Sequence, residues 1–172
     1  MDAQREAAFA VLEGLSEVQI WQRPAPKEWC IGEILDHNVR LFESVLPWLN
    51  IAWATLGWYG RLRRKRPYPV EIDNVYKRPS FPMWTGFLWT PKYNPRKHAP
   101  LVTLREQAES VHRRAREFYE GKSLDVLGNI YGYDPVVGLA NLIQTLKIGI
   151  DHDQLHYEDV IKLAGSLKNA GQ

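Results

Sequence analysis

Apolar positions recur at helical spacing in four stretches of the chain. The first covers about residues 3–17, with Ala8, Val11, Leu12 and Leu15 on one face. The second begins near Cys30, where Ile34, His37, Leu41 and Val45 follow one another at steps of three and four. Trp48, Leu49, Ala52, Trp53 and Leu56 keep that period beyond Pro47, so the helix is expected to continue past a kink. The third covers about residues 104–119, with a narrow seam of Leu104, Ala108, Val111, Ala115 and Phe118. Thr103 and Glu106 have capping-box spacing and place its start there, and Gly121 is a plausible stop. The fourth is predicted to open at Asp134-Pro135, an N-cap residue followed by proline at the first helical position. It should end near Leu163, with Gly165 beyond, and its stripe reads Leu142, Thr145, Gly149, His152, His156, Val160, Leu163.

Short connections join the first helix to the second and the third to the fourth, which makes each pair antiparallel neighbours. Between the second and third helices lies a long crossover, residues 61–100, holding seven of the eleven prolines and no convincing strand. Tyr68, Tyr76, Phe81, Trp84, Phe87, Trp89 and Tyr93 fall in it, too many aromatics for a disordered linker. The expected fold class is all-α: one domain over residues 1–172, a four-helix bundle whose crossover leaves helices two and three parallel.

Composition alters this picture in three places. A single cysteine, Cys30, excludes an internal disulfide and a cysteine zinc cluster, and fits a reducing, cytoplasmic setting. The longest uncharged run, residues 44–60, is followed by Arg61, Arg63, Arg64, Lys65 and Arg66, as a membrane span with basic anchors would be. It is 17 residues long and broken by Ser44, Pro47, Asn50, Thr55, Gly57 and Gly60, so no membrane span is expected, and the N-terminal residues lack a signal peptide's order. Net charge is only +2, yet residues 61–100 carry +8 and the remainder −6. The basic crossover either lies against an acidic bundle or attracts an anionic ligand.

His152 and His156 stand at i and i+4, a spacing that lets two imidazoles on one helix face reach one metal ion. Both lie on the apolar stripe of helix four, and His37 lies on that of helix two. Three imidazoles aimed at one core are costly unless each finds a partner, and a shared ion satisfies all three. Alternatively, each is bonded separately to a carbonyl or an acid. His98, in the crossover, and His112, off the seam of helix three, read as surface residues, with His98 able to serve as an extra ligand if its loop folds over the site.

The stretch 21–37, Trp-Gln-Arg-Pro-Ala-Pro-Lys-Glu-Trp-Cys-Ile-Gly-Glu-Ile-Leu-Asp-His, resembles the second-helix signature of the DinB-like superfamily, and 151–156, Asp-His-Asp-Gln-Leu-His, resembles its fourth-helix signature. Tyr131-Gly132 ahead of helix four is also familiar, and the crossover is the least typical part. The resemblance implies an up-down-down-up bundle, often dimeric. It also implies a divalent ion held by one histidine of helix two and two of helix four, the positions of His37, His152 and His156. Zinc or nickel lead, and iron, manganese or cobalt are accommodated; imidazoles alone would also suit copper. Relatives that transfer low-molecular-weight thiols suggest a metal-dependent S-transferase acting on a small thiol and a small electrophile. One departure is Cys30, where many relatives place Ser or Thr to cap helix two. Cysteine caps more weakly, and seven residues of helix, roughly 10 Å, separate it from His37, so it reads as a small buried residue.

Glu33 and Asp153 are candidates to accept an imidazole N–H behind the metal, although either could be a solvated charge. Thr145 and Gly149 precede His152 by two turns and one; Gly149 either leaves room above the ion or lets helices pack closely. No nucleophile or general base stands out, and no catalytic residue is assigned. Two other readings remain: a non-catalytic bundle in which the ion ties two helices together, and nucleic-acid binding through Arg61–Arg66, a run more often a solvated loop. Trp48, Trp53 and Trp58 present more aromatic surface than one helix buries, which favours a homodimer.

Overall fold

The computed structural model describes residues 1–77, 98–134 and 137–170; Phe81, Trp84, Phe87, Trp89, Tyr93 and Pro135 lie outside the described residues. The chain is mostly helical, with one small antiparallel sheet. Helix α1 covers Asp2–Ala10, α2 Glu17–Ile20, α3 Ile31–Arg63, α4 Leu101–Tyr119, α5 Leu124–Leu127 and α6 Leu142–Ala170. Strands β1 (Tyr131–Asp134) and β2 (Gly138–Asn141) form a hairpin, and Val75–Lys77 makes a single 3-10 turn.

Helix α3 runs through Pro47 as one element of 33 residues, about 50 Å long. Pro47 lies on the exposed side of the helix. Its N-cap is Cys30, and Glu33 accepts the Cys30 N–H at 3.0 Å. Burial pushes the Cys30 thiol up to about 12, so it stays a neutral, inert side chain. Helix α3 packs on α4, α5 and α6, while α1 packs on α4 and α6. Their common core contains Leu12, Leu35, Leu46, Leu104, Leu142 and Tyr157, all within 2% of complete burial.

Four helix boundaries differ from the sequence reading. The first helix stops at Ala10; the chain turns at Gly14 (φ +86°) and restarts as α2, where Ser16 and Gln19 form a reciprocal capping box. Helix α4 begins at Leu101, not at Thr103, because Glu17 reaches across and accepts the Leu101 N–H at 3.0 Å. The largest correction concerns the fourth helix. Asp134 caps a hairpin turn, accepting the Val137 N–H at 3.0 Å, and Gly138 supplies the φ of +82° that the turn requires. The helix starts seven residues later behind Asn141, whose Oδ1 accepts the N–H groups of Ile143 and Gln144 while the Gln144 side chain accepts the Asn141 N–H. It also continues through Gly165 to Ala170, since a solvent-facing glycine costs only about 1 kcal/mol.

Among the described residues no helix is long and apolar enough to cross a membrane.

Asn141 is buried, caps α6, and also donates to the Pro69 carbonyl at 2.7 Å. Asn141→Ala removes all of these bonds and should cost about 2 kcal/mol of stability in urea unfolding, the upper range for a cap. A loss below about 0.5 kcal/mol, within the range of a neutral surface change, would show that the cap does not hold α6 in place.

Candidate metal centre

The stripes on α3 and α6 face each other in the core, and His37, His152 and His156 meet there. All three are buried, and the nearest ligand atoms of the group lie within 4.8 Å of one another. His37 Nε2 and His152 Nε2 are 3.1 Å apart. The two rings of α6 have centroids 4.5 Å apart, one turn above the other. Two imidazole nitrogens at 3.1 Å need a proton or a cation between them, because facing lone pairs repel.

The donor set fits a divalent ion. Tetrahedral coordination with bonds of about 2.0–2.1 Å separates ligand atoms by roughly 3.3 Å, close to the 3.1 Å between His37 and His152, and all three ligand atoms lie within 4.8 Å of one another. Ligating imidazoles must be neutral, and burial enforces this. It drives the His152 pKa well down, aided by His156 and His37, and lowers that of His156 to about 3, with His37 contributing. His152 Nδ1 and His156 Nδ1 are buried without a hydrogen-bond partner among the described residues; the nearest acid to the latter, Asp159 Oδ2, is 4.0 Å away.

Aromatic rings wall the group. Trp29 lies against His37 and His156, with centroids 4.8 and 6.4 Å away, and Tyr76 meets His152 edge-on at 5.5 Å. Burial, reinforced by Asp134, Asp151 and Asp153, pushes the Tyr76 phenol up, so it remains a neutral O–H. Its position is set by the start of the crossover, which α6 straps down. Asn141 holds the Pro69 carbonyl, Gln144 Nε2 donates to the Glu71 carbonyl at 2.9 Å, and Lys147 pairs with the Glu71 carboxylate at 2.6 Å. Tyr76 carried no local signal as a site residue, because only this long-range strap brings it to His152.

The residues suggested to stand behind the metal have other partners. Glu33 is buried in a two-bond ion pair with Arg23; burial would raise its carboxyl, but Arg23 and the Cys30 N–H outweigh that and hold it below its ordinary value. Asp153 faces away from the three histidines toward α4, where His112 Nε2 lies 2.8 Å from Oδ2. Burial pushes the Asp153 carboxyl up, while His112 and Arg5 oppose the shift. His112 is therefore not a surface residue. It is fully enclosed, its Nδ1 lies 3.1 Å from Arg5 Nη1, and the network joins α1, α4 and α6. Because Arg5 can only donate, Nδ1 accepts and Nε2 carries the proton toward Asp153. His98 does not join the cluster; it stacks on Trp21 at 4.4 Å, 12° from parallel. Thr145 bonds its own helix at the Asn141 carbonyl, and Gly149 faces Phe42 of α3, where a Cβ would stand 3.5 Å from the ring, an ordinary contact, so packing does not demand a glycine there.

A family model described as DinB superfamily matches residues 1–160. The chain belongs to the DinB superfamily. No curated protein and no solved structure matches it. Both signature stretches of the DinB-superfamily sequence, 21–37 and 151–156, therefore end on the histidines that converge in the core.

A pH dependence follows from the buried imidazoles. A histidine whose folded pKa lies below its unfolded value of about 6.5 binds more protons when unfolded, so stability is complete above pH 6.5 and is lost as pH falls toward 3. Metal-free protein should lose stability between pH 6.5 and 4.5, at up to about 1.4 kcal/mol per pH unit for each such histidine. Urea unfolding of metal-free parent and His156→Gln at several pH values checks this: the variant should show the shallower slope, and equal slopes would contradict it.

Proposed function

We propose that this DinB-superfamily chain is a divalent-metal-dependent S-transferase that joins a small thiol to a small electrophile. The observation that carries the reading is the donor set: three buried imidazoles from α3 and α6, those of His152 and His156 kept neutral by burial, with no carboxylate or thiolate among them. Members of the superfamily commonly bind metal, and this set suits zinc or nickel first, with iron, manganese or cobalt also accommodated. When bound, such an ion supplies a double positive charge that the ligands leave uncompensated, which favours a thiolate over a thiol.

The chain's own residues provide the rest. His37, His152 and His156 would hold the ion, Trp29 and Tyr76 exclude water from it, and the neutral Tyr76 phenol stays able to donate a hydrogen bond. In the transfer, the thiol's proton leaves to solvent, its sulfur forms a bond to the electrophilic carbon, and the bond from that carbon to its leaving group breaks. Cys30 is not the reacting thiol, being enclosed and protonated. A cytoplasmic setting, where small thiols are reduced, suits the reaction. We read α1, α3, α4 and α6 as an up-down-down-up four-helix bundle, the long crossover carrying Tyr76 to the site. Arg61–Arg66 have local roles such as the bond from Arg63 to Tyr59, and we assign them no nucleic-acid partner.

A second reading has one observation in its favour. The histidines are so enclosed that an ion could serve only to tie α3 to α6. Elemental analysis of untagged protein should find about one divalent ion per chain, lost in both His37→Ala and His152→Ala. Metal-loaded protein should then conjugate a low-molecular-weight thiol to a generic electrophile such as a chloronitrobenzene at least about tenfold faster than metal-free protein, a modest share of what metal catalysis supplies. Equal rates with metal present and absent would leave the helix tie as the function. No metal in the parent would remove both readings.

A further inference from the structure

A transferase must let its substrates reach the ion, yet His37, His152 and His156 are only 3%, 5% and 6% exposed. Part of the wall around them has to move. Trp29 and Tyr76 both line that wall, and they are held very differently. Trp29 directly precedes Cys30, the N-cap of α3, and Glu33 pins that end by accepting the Cys30 N–H and pairing with Arg23. Tyr76 stands on the strap of residues 69–77, which is irregular until the 3-10 turn at Val75–Lys77. Just before the strap, the chain is firmly seated. The Tyr68 ring fills a notch at Gly128, where a Cβ would overlap it, and its hydroxyl donates to Asp125 at 3.0 Å. Buried Asn141 then holds the Pro69 carbonyl. Further along, the pair between Glu71 and Lys147 lies at the surface, with the Glu71 side chain 87% exposed, so water screens it. Local opening starts at such places, where attachments are exposed and the backbone is irregular.

We propose that residues 70–77 form a lid, hinged at Pro69 and latched by the Glu71–Lys147 pair, whose opening lifts Tyr76 off His152 and admits small molecules to the metal centre. The lid rests on the S-transferase reading in one respect: that reading needs a route to the ion, whereas an ion that only ties α3 to α6 needs none. The latch is close to what it guards. Lys147 precedes His152 by five residues of α6, about 7.5 Å along the axis. Gln144, one turn before Lys147 and its neighbour Ile148, holds the Glu71 carbonyl at 2.9 Å and sets the height at which the strap crosses. Beyond the latch, Val75 is 4% exposed and keeps the closed lid seated, with Tyr76 edge-on to His152. Opening therefore exposes one apolar side chain and one ring, while the anchors at Tyr68 and Pro69 stay in place.

The full-length, zinc-loaded chain carrying both Glu71→Cys and Lys147→Cys tests this; neither side chain is buried, so the fold tolerates the changes. One sample is bridged with a short bismaleimide, and the other is capped at both cysteines with N-ethylmaleimide. Native Cys30 is buried and reacts with neither reagent. Zinc transfer to an excess of a colorimetric chelator should be at least about tenfold slower from the bridged sample, as lid-gated access implies. Lys147→Ala, which removes the latch without a crosslink, should release zinc at least about twofold faster than the parent. In the metal-free samples the bridge should also protect His152 from carbethoxylation by diethyl pyrocarbonate, read by mass spectrometry, so the lid is tested whether or not an ion binds. Equal chelation rates, or equal carbethoxylation, in bridged and capped samples would overturn the lid. Absence of thiol transfer from a chain whose bridge does slow these reactions would remove the transferase and leave the lid standing.

Discussion

Burying imidazole is the constraint around which this molecule is arranged. A neutral imidazole taken from water must still place two nitrogens, and each one left unsatisfied in the core costs on the order of 1–3 kcal/mol. Here three such rings are enclosed at one point, two nitrogens stand 3.1 Å apart, and two Nδ1 atoms have no protein acceptor among the described residues. Folding alone does not settle that account. An ion shared by the three rings would, and the same burial that makes the rings costly keeps His152 and His156 neutral and ready to bind it.

The surrounding structure serves this arrangement by keeping other charges occupied. Glu33, one turn before His37, is neutralised by Arg23. Asp153, next to His152 in sequence, is drawn to the opposite side of α6 by His112, which Arg5 orients in turn. Each buried carboxylate thus has a cation or an N–H of its own and does not compete for the ion. The polar residues of α6 do similar work at its N-terminal end: Asn141, Gln144 and Lys147 fasten the crossover and so deliver Tyr76 over His152. Helix capping, loop attachment and the wall of the site are properties of one short stretch of sequence.

Much of this was legible in the chain before its structure. His37, His152 and His156 lie on apolar stripes, and periodicity alone places them in one core. The helical segments were legible for the same reason, because apolar spacing reports burial directly. Errors arose where a local signal had two meanings. Asp134-Pro135 suits a helix start and a hairpin turn equally well, while the capping pair Asn141 and Gln144 was overlooked. The narrow seam of α4 leaves His112 to one side and suggests exposure, yet His112 lies one turn after Ala108 and is buried against Arg5 of α1 and Asp153 of α6. Glu17 capping α4, Tyr76 at the site and the partners of Glu33 and Asp153 are contacts between distant segments, and no local pattern announces them.

The central claim is that these three imidazoles together hold one divalent ion. X-ray absorption at the metal edge of the zinc-loaded protein tests it most directly. Nitrogen or oxygen neighbours at about 2.0–2.1 Å, with outer-shell scattering from three imidazole rings and no sulfur at about 2.3 Å, is the result predicted. Scattering from fewer than three imidazoles, or a sulfur neighbour, would contradict it.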